Sequence, residues 1–179
     1  MKNIVLVGFM GTGKTEVSKI LASRLKRQRL CIDDMIEWKV GKRISRIFEE
    51  DGEAYFRKVE SDIVAVASKD KNVIIDAGGG VVMNEQNVRR LKDHGLIFCL
   101  TATPEAIFER TKGYSHRPLL DSDNPLEAIK DMLKKRSEFY KRSDYAVDTT
   151  DILPDEAADR IIKIMEDVES ENNAHLIFT

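Results

Sequence analysis

Two kinds of segment alternate along this chain. Short apolar runs rich in β-branched residues lie at 4–7, 30–32, 73–75, 96–100 and 145–147. Runs this short, bounded by turn or polar residues, predict strands buried on both faces. Between them, apolar residues recur at spacings of three and four, which predicts helices. Val17, Ile20, Leu21 and Leu25 mark one over 14–26. Phe56, Val59, Ile63, Val64 and Ala67 mark a longer one over 53–68. Others are predicted over 34–40, 44–50, 84–93, 104–111, 126–140 and 154–168. Asn84 stands where a helix needs a cap, and Pro104 and Pro154 stand in first turns, where a missing N–H costs little. Residues 113–123 have no such period and are rich in Gly, Ser, Pro and Asp, which predicts a loop. The tail at 170–179 ends in Leu176-Ile177-Phe178 and has two readings, docking on the body or a partner, or fraying.

Strands alternating with helices predict an α/β fold, a parallel sheet with helices on both faces. At 179 residues the chain is large enough for one domain with a real core. Neither internal repeat nor linker divides it. A net charge of -2, with no basic tract interleaved with aromatics, argues against a nucleic-acid partner. Lys134-Lys135-Arg136 reads as a solvated helix face. No apolar run approaches ~18 residues, so no membrane span is expected. The apolar start is broken by Gly8 and runs into a phosphate motif, which argues against a cleaved leader. Cys31 and Cys99 read as small buried thiols, and no Cys/His spacing suits zinc. Together these features predict a cytoplasmic protein.

Chemistry enters with Gly8-Phe9-Met10-Gly11-Thr12-Gly13-Lys14-Thr15, a match to G-x-x-x-x-G-K-[ST] between a predicted strand and helix. Glycines let backbone N–H groups turn toward phosphate oxygens, Lys14 adds a point charge, and the Thr15 hydroxyl suits Mg²⁺. A nucleotide-bound Mg²⁺ also calls for a carboxylate, often at the end of a neighbouring strand. Asp76 closes the apolar run N-V-I-I-D and fits that place, with Asp33 and Asp34 as the other candidates. Arg57 and Glu60 can pair at i, i+3 on their helix. Gly78-Gly79-Gly80 follows a strand end, where α/β proteins bind ligands. Two arginines, an aspartate and free backbone amides together suit a small hydroxylated carboxylic acid.

The succession G-F-M-G-T-G-K-T, I-D-D-M-I-E, I-F-E-E-D-G-E-x-x-F-R-x-x-E, G-G-G, R-P-L-L and K-R-x-x-x-Y resembles the shikimate kinase family over residues 2–165. The resemblance implies a three-layer P-loop kinase fold with five parallel strands in the order 2-3-1-4-5. It implies a lid at 113–123 and a substrate-binding helical region at 33–62 within one domain, 1–179. It implies transfer of the ATP γ-phosphoryl group to the 3-hydroxyl of shikimate, with Mg²⁺, in aromatic amino-acid biosynthesis. Residue by residue, it implies that Gly11, Thr12, Gly13, Lys14, Thr15 and Glu16 serve ATP, with Arg110 near adenine, Pro154 in the later nucleotide loop and Arg117 meeting the phosphates from the lid. Asp33, Arg57, Gly78, Gly79, Gly80 and Arg136 would hold shikimate. Lys14, Asp33 and the lid's Arg117 would carry catalysis, Asp33 by positioning the 3-hydroxyl or taking its proton.

One departure stands out. The family reads D-x-D after strand two, whereas this chain reads Cys31-Ile32-Asp33. The acid absent at 31 is expected to be supplied by Asp76, so the metal residues are read as Thr15 and Asp76. The expected partners are shikimate and ATP, and the expected state is a monomer. A related kinase acting on gluconate or a nucleoside monophosphate is one alternative. A protein that keeps the fold without turnover is another, favoured only by Cys31.

Overall fold

The computed structural model describes residues 1–112 and 124–177. The predicted lid at 113–123, with Arg117, therefore lies outside the described residues. Five strands form one parallel sheet: β1 (Asn3–Gly8), β2 (Arg29–Cys31), β3 (Ile74–Asp76), β4 (Gly95–Thr101) and β5 (Tyr145–Asp148). Their order is β2-β3-β1-β4-β5, as expected, and every pair is parallel. Among the described residues, eight α-helices connect or flank them: α1 (Lys14–Leu25), α2 (Ile32–Val40), α3 (Ile44–Glu50), α4 (Gly52–Ala67), α5 (Glu85–His94), α6 (Pro104–Thr111), α7 (Pro125–Tyr140) and α8 (Pro154–Ile177).

Period-two alternation sends neighbouring residues of β1 to opposite faces. Val5 and Val7 join Ile75, Ile97 and Cys99 beneath α4 and α5. Ile4 and Leu6 join Ile74, Phe98 and Leu100 beneath α1 and α8. All of these side chains are buried, and each large aliphatic one contributes about 1.5–3 kcal/mol. The uninterrupted apolar character of the central strand follows from having helices on both sides.

Caps fix the element starts. The Asn84 side chain accepts from the Gln86 and Asn87 amides at the head of α5. Asn124 caps α7, with Pro125 in its first turn. The sequence pattern started that helix later, at 126, because proline carries no period. Most other ends shift by a residue or so, and three boundaries matter more. Strand β2 ends at Cys31, and Ile32 already belongs to α2, so Asp33 and Asp34 occupy a helix first turn. Helix α4 begins at Gly52. Helix α8 runs as backbone to Ile177 instead of stopping near 168, since 169–177 contains no proline or glycine to end it.

Candidate active site

The C-terminal edge of the sheet gathers the chemistry. Strand β1 delivers Gly8 there, and α1 starts at Lys14 with Gly13 as its N-cap. Loop amides and a helix N-terminus therefore face one anion-sized region. Lys14 Nζ folds over the loop and donates to the carbonyls of Gly8 at 2.8 Å and Phe9 at 2.9 Å. Buried Thr12 donates its hydroxyl to the Phe9 carbonyl at 2.8 Å, which tightens the turn. The Glu16 side chain pairs outward with Lys19. Arg110 donates to the Thr149 carbonyl at 2.6 Å, the Thr150 carbonyl at 2.9 Å and the Gly11 carbonyl at 3.3 Å. It thereby ties the phosphate loop to the segment that leads into Pro154.

Asp76 ends β3 and lies between Cys31 of β2 and Leu6 of β1 in the strand register. Its carboxylate is buried, with Oδ2 accepting from Arg29 Nη2 at 2.8 Å and approached by Ser18 Oγ at 3.3 Å. Ser18 is fully buried. Its hydroxyl accepts from Arg29 Nε at 2.7 Å and sits 2.8 Å from the Thr15 carbonyl, one turn back along α1. Asp76, expected near Thr15, meets Ser18 one turn further along α1 and is committed to a buried ion pair with Arg29 that the sequence did not announce. Removing one partner of such a buried pair costs about 3–5 kcal/mol, because the other charge is left uncompensated.

The triple glycine is a turn whose residues are small for different reasons. Gly78 has φ +74°, and its Cα side faces the Asp33 carboxylate, where a Cβ would lie 3.5 Å from Oδ1. At Gly79 a Cβ would lie 2.7 Å from the Gly8 carbonyl oxygen, so the turn rests on the phosphate loop. At Gly80 a Cβ would meet Arg57 Nη1 at 2.3 Å. Arg57 itself is held by Glu60, which takes Nη1 on both oxygens at 3.1 and 3.0 Å, and by Glu53 at 3.1 Å. Arg136 lies on α7 with its guanidinium 5.7 Å from the Phe9 ring centre. Lys134 and Lys135 are exposed as predicted for a solvated face, while Arg136 is half-buried.

The charges interact across this edge. Asp33 is solvent-exposed, yet crowding by surrounding protein atoms, then Asp76, pushes its carboxyl upward against the pull of Lys14. Burial raises Glu60, while Arg57 and, more weakly, Arg136 pull it down. Burial pushes the Cys31 thiol up to about 11, so it is uncharged at neutral pH. The loss of the acid at 31 is therefore a real loss of negative charge.

Asp33, Arg57, Arg136 and Gly78–Gly80 come together beside the phosphate loop, and Arg110 flanks its other end, bonded to Thr149 and Thr150 in the segment before Pro154. Sequence reasoning missed Arg29, Ser18 and Tyr140. The Tyr140 hydroxyl donates to the Gly79 carbonyl at 3.2 Å, and Arg136 lies beside it. Arg29 carried one faint signal, a charge directly before the short apolar run at 30–32, and the observed β2 takes it into the strand. Tyr140 stood in the quoted K-R-x-x-x-Y pattern without a role.

The geometry has counterparts among known proteins. The family model described as shikimate kinase matches residues 10–166. A shikimate kinase of Thermodesulfovibrio yellowstonii is 46% identical over 166 residues, covering 93% of this chain and 96% of that protein. One from Thermoanaerobacter pseudethanolicus is 44% identical over 163 residues, covering 91% of this chain and 95% of that protein. Among solved structures, shikimate kinase from Acinetobacter baumannii in complex with shikimate superposes with a TM-score of 0.88 at 34% identity, covering 93% of this chain and 94% of that one. Sheet order, phosphate loop and near-complete coverage agree, and the chain belongs to the shikimate kinase family.

Proposed function

We infer that this chain transfers the γ-phosphoryl group of ATP to the 3-hydroxyl of shikimate, giving shikimate 3-phosphate and ADP for aromatic amino-acid (chorismate) biosynthesis. One observation carries the reading. The turn that faces Asp33 and Arg57 sits directly on Gly8 of the phosphate loop, so acceptor and donor sites are contiguous. Direct in-line transfer needs that adjacency and little covalent participation by the protein.

The roles follow from chemistry and place. Gly11 to Glu16 cradle the phosphates, with Lys14 moving its ammonium from loop carbonyls to the β/γ oxygens. Arg110 borders the adenine, with Pro154 in the later nucleotide loop. Arg57 and Arg136 clamp the shikimate carboxylate, for which arginine's planar fork is suited. The Gly78–Gly80 turn gives the substrate backbone contacts at close approach. Asp33, as a carboxylate, accepts a hydrogen bond from a substrate hydroxyl and orients the attacking oxygen. Arg117, in the segment 113–123 read as a lid, adds positive charge over the transferring group, and closure there excludes water. The 33–62 segment serves as the substrate-binding region of a single domain.

A carboxylate held through Ser18 one turn of α1 from Thr15 suits a nucleotide-bound Mg²⁺, which takes one or two carboxylates and completes its shell with phosphates and water. Among the described residues no cluster of three or more His, Cys, Asp or Glu is placed to hold a metal without such help. Thr15 and Asp76 are the residues assigned to hold it. When bound, Mg²⁺ neutralises charge on the β- and γ-phosphates. The chain is read as a cytoplasmic monomer without nucleic-acid or membrane partners. Among its described residues, no helix is long and apolar enough to cross a membrane.

The test is ADP release from ATP and Mg²⁺ with shikimate, quinate, gluconate or no acceptor. Shikimate-dependent turnover well above the others is expected. Turnover that follows gluconate, or none from folded protein, overturns the reading in favour of another acceptor or a non-catalytic role.

A further inference from the structure

We propose that Arg29 is a positioning residue for the metal-side carboxylate, and that Arg29, Ser18 and Asp76 act as one unit at the place where Cys31 offers no acid. The inference rests on the assignment of Asp76 made above. In the register Cys31 and Asp76 are direct neighbours on adjacent strands, so a carboxylate at 76 enters the edge one strand nearer the phosphate loop. A side chain there needs a different support, and Arg29 supplies it from two residues before Cys31.

The guanidinium uses two of its faces at once. Nε donates to Ser18 Oγ at 2.7 Å and Nη2 to Asp76 Oδ2 at 2.8 Å. Ser18 is in turn fixed to α1 beside the Thr15 carbonyl. One carboxylate oxygen is thereby committed and the rotation of the group is set. The other, Oδ1, accepts no hydrogen bond among the described residues and is the oxygen available to a metal-bound water. Asp34 Oδ2 stands 3.9 Å from Arg29 Nη1, on the exposed side, and shares the cation without displacing Asp76. Outer partners of this kind orient metal ligands, and their loss typically costs about 10–100-fold in metal affinity.

The positioning role has a sign that simple charge does not. Arg29 is a cation near a cation site, so Coulomb's law alone makes its removal tighten the metal. Positioning makes its removal loosen it. The experiment is Mn²⁺ binding to the full chain saturated with ADP, followed by the electron paramagnetic resonance of unbound Mn²⁺. Arg29→Met keeps most of the stem and is expected to weaken Mn²⁺ by about tenfold. Arg29→Lys keeps charge without the two-pronged fork and is expected to fall between. Shikimate affinity by calorimetry, which Arg29 does not touch, reports whether the fold is intact. Equal or tighter Mn²⁺ binding in folded Arg29→Met overturns the inference. If that variant does not fold, Ser18→Ala, which removes the Nε anchor and the longer 3.3 Å contact to Asp76 Oδ2, must loosen Mn²⁺ in the same direction, and unchanged binding overturns it. Asp76→Asn separates the two claims. Unchanged Mn²⁺ affinity there ends the metal role of Asp76 and this inference with it, whereas loosening there without loosening in Arg29→Met ends only the role of Arg29.

Discussion

Asp33 faces the Gly78 turn, and the role proposed for it, accepting a hydrogen bond from a substrate hydroxyl, needs the ionised carboxylate. Desolvation and Asp76 raise its pKa, and a carboxylate that works ionised loses activity as pH falls through that value. The acid limb of kcat/KM for shikimate is therefore expected above the ~3.9 of a free aspartate. A limb at or below that value in a pH–rate profile contradicts the assignment. The Cys31 thiol, pushed up to about 11 by burial, gives a complementary check. Its alkylation by iodoacetamide, read by mass spectrometry, is expected to be slow at neutral pH and to rise about tenfold per pH unit toward that value, because the thiolate reacts. Tyr140 binds the Gly79 carbonyl and lies beside Arg136. Tyr140→Phe keeps the ring and loses the hydroxyl, removing about 0.5–1.5 kcal/mol. The expected result is a several-fold higher KM for shikimate with kcat and the ATP KM little changed. An unchanged shikimate KM speaks against that role.

At the scale of elements, the site is made where ends meet. The end of β1, the turn after β3 and the start of α2 share one edge, and α7 closes over them with Arg136 and Tyr140. Gly79 is the joint where the turn after β3 meets the phosphate loop backbone, since a Cβ there points at the Gly8 carbonyl at 2.7 Å. Backbone cannot yield as a side chain can, so Gly79→Ala is expected to destabilise the protein by about 1–3 kcal/mol. It is also expected to displace the phosphate loop, lowering affinity for ATP as well as shikimate. Urea unfolding and the two KM values measure this. A variant of unchanged stability and unchanged ATP KM shows that the joint has more room than the geometry gives it. Most elements were legible beforehand, because each strand or helix announces itself through its own period. Phosphate-loop residues were legible for the same reason, being contiguous between a strand and a helix. Boundaries were less so: Ile32 reads as the end of an apolar strand, yet its backbone is taken into α2.

At the scale of the molecule, two apolar layers sandwich the sheet, and α8 contributes to one of them through Ala157, Ala158, Ile161 and Met165. Arg24 of α1 also pairs with Asp155 and Asp159 in its first turns. These anchors all precede residue 166. A chain ending at Glu171 is therefore expected to unfold within a few degrees of the full chain and to keep its shikimate-dependent turnover, as measured by thermal denaturation and ADP release. A large drop in either shows that the last helical turns dock on something that matters to the fold. What this sequence determined by itself was what lies close along the chain or repeats with a period: strand and helix identity, the parallel α/β class, the phosphate cradle, and the Arg57–Glu60 pair one helical turn apart. The tertiary structure alone decided which distant residues became neighbours. Arg29, Ser18 and Asp76 are dispersed over three elements, and only the side-by-side register of β2 and β3 against α1 brings them within hydrogen-bond reach. Hydrogen bonds and ion pairs act over a few ångströms, whereas sequence records only chain distance, so the partner of an acid 47 residues away could not be read before the sheet was assembled.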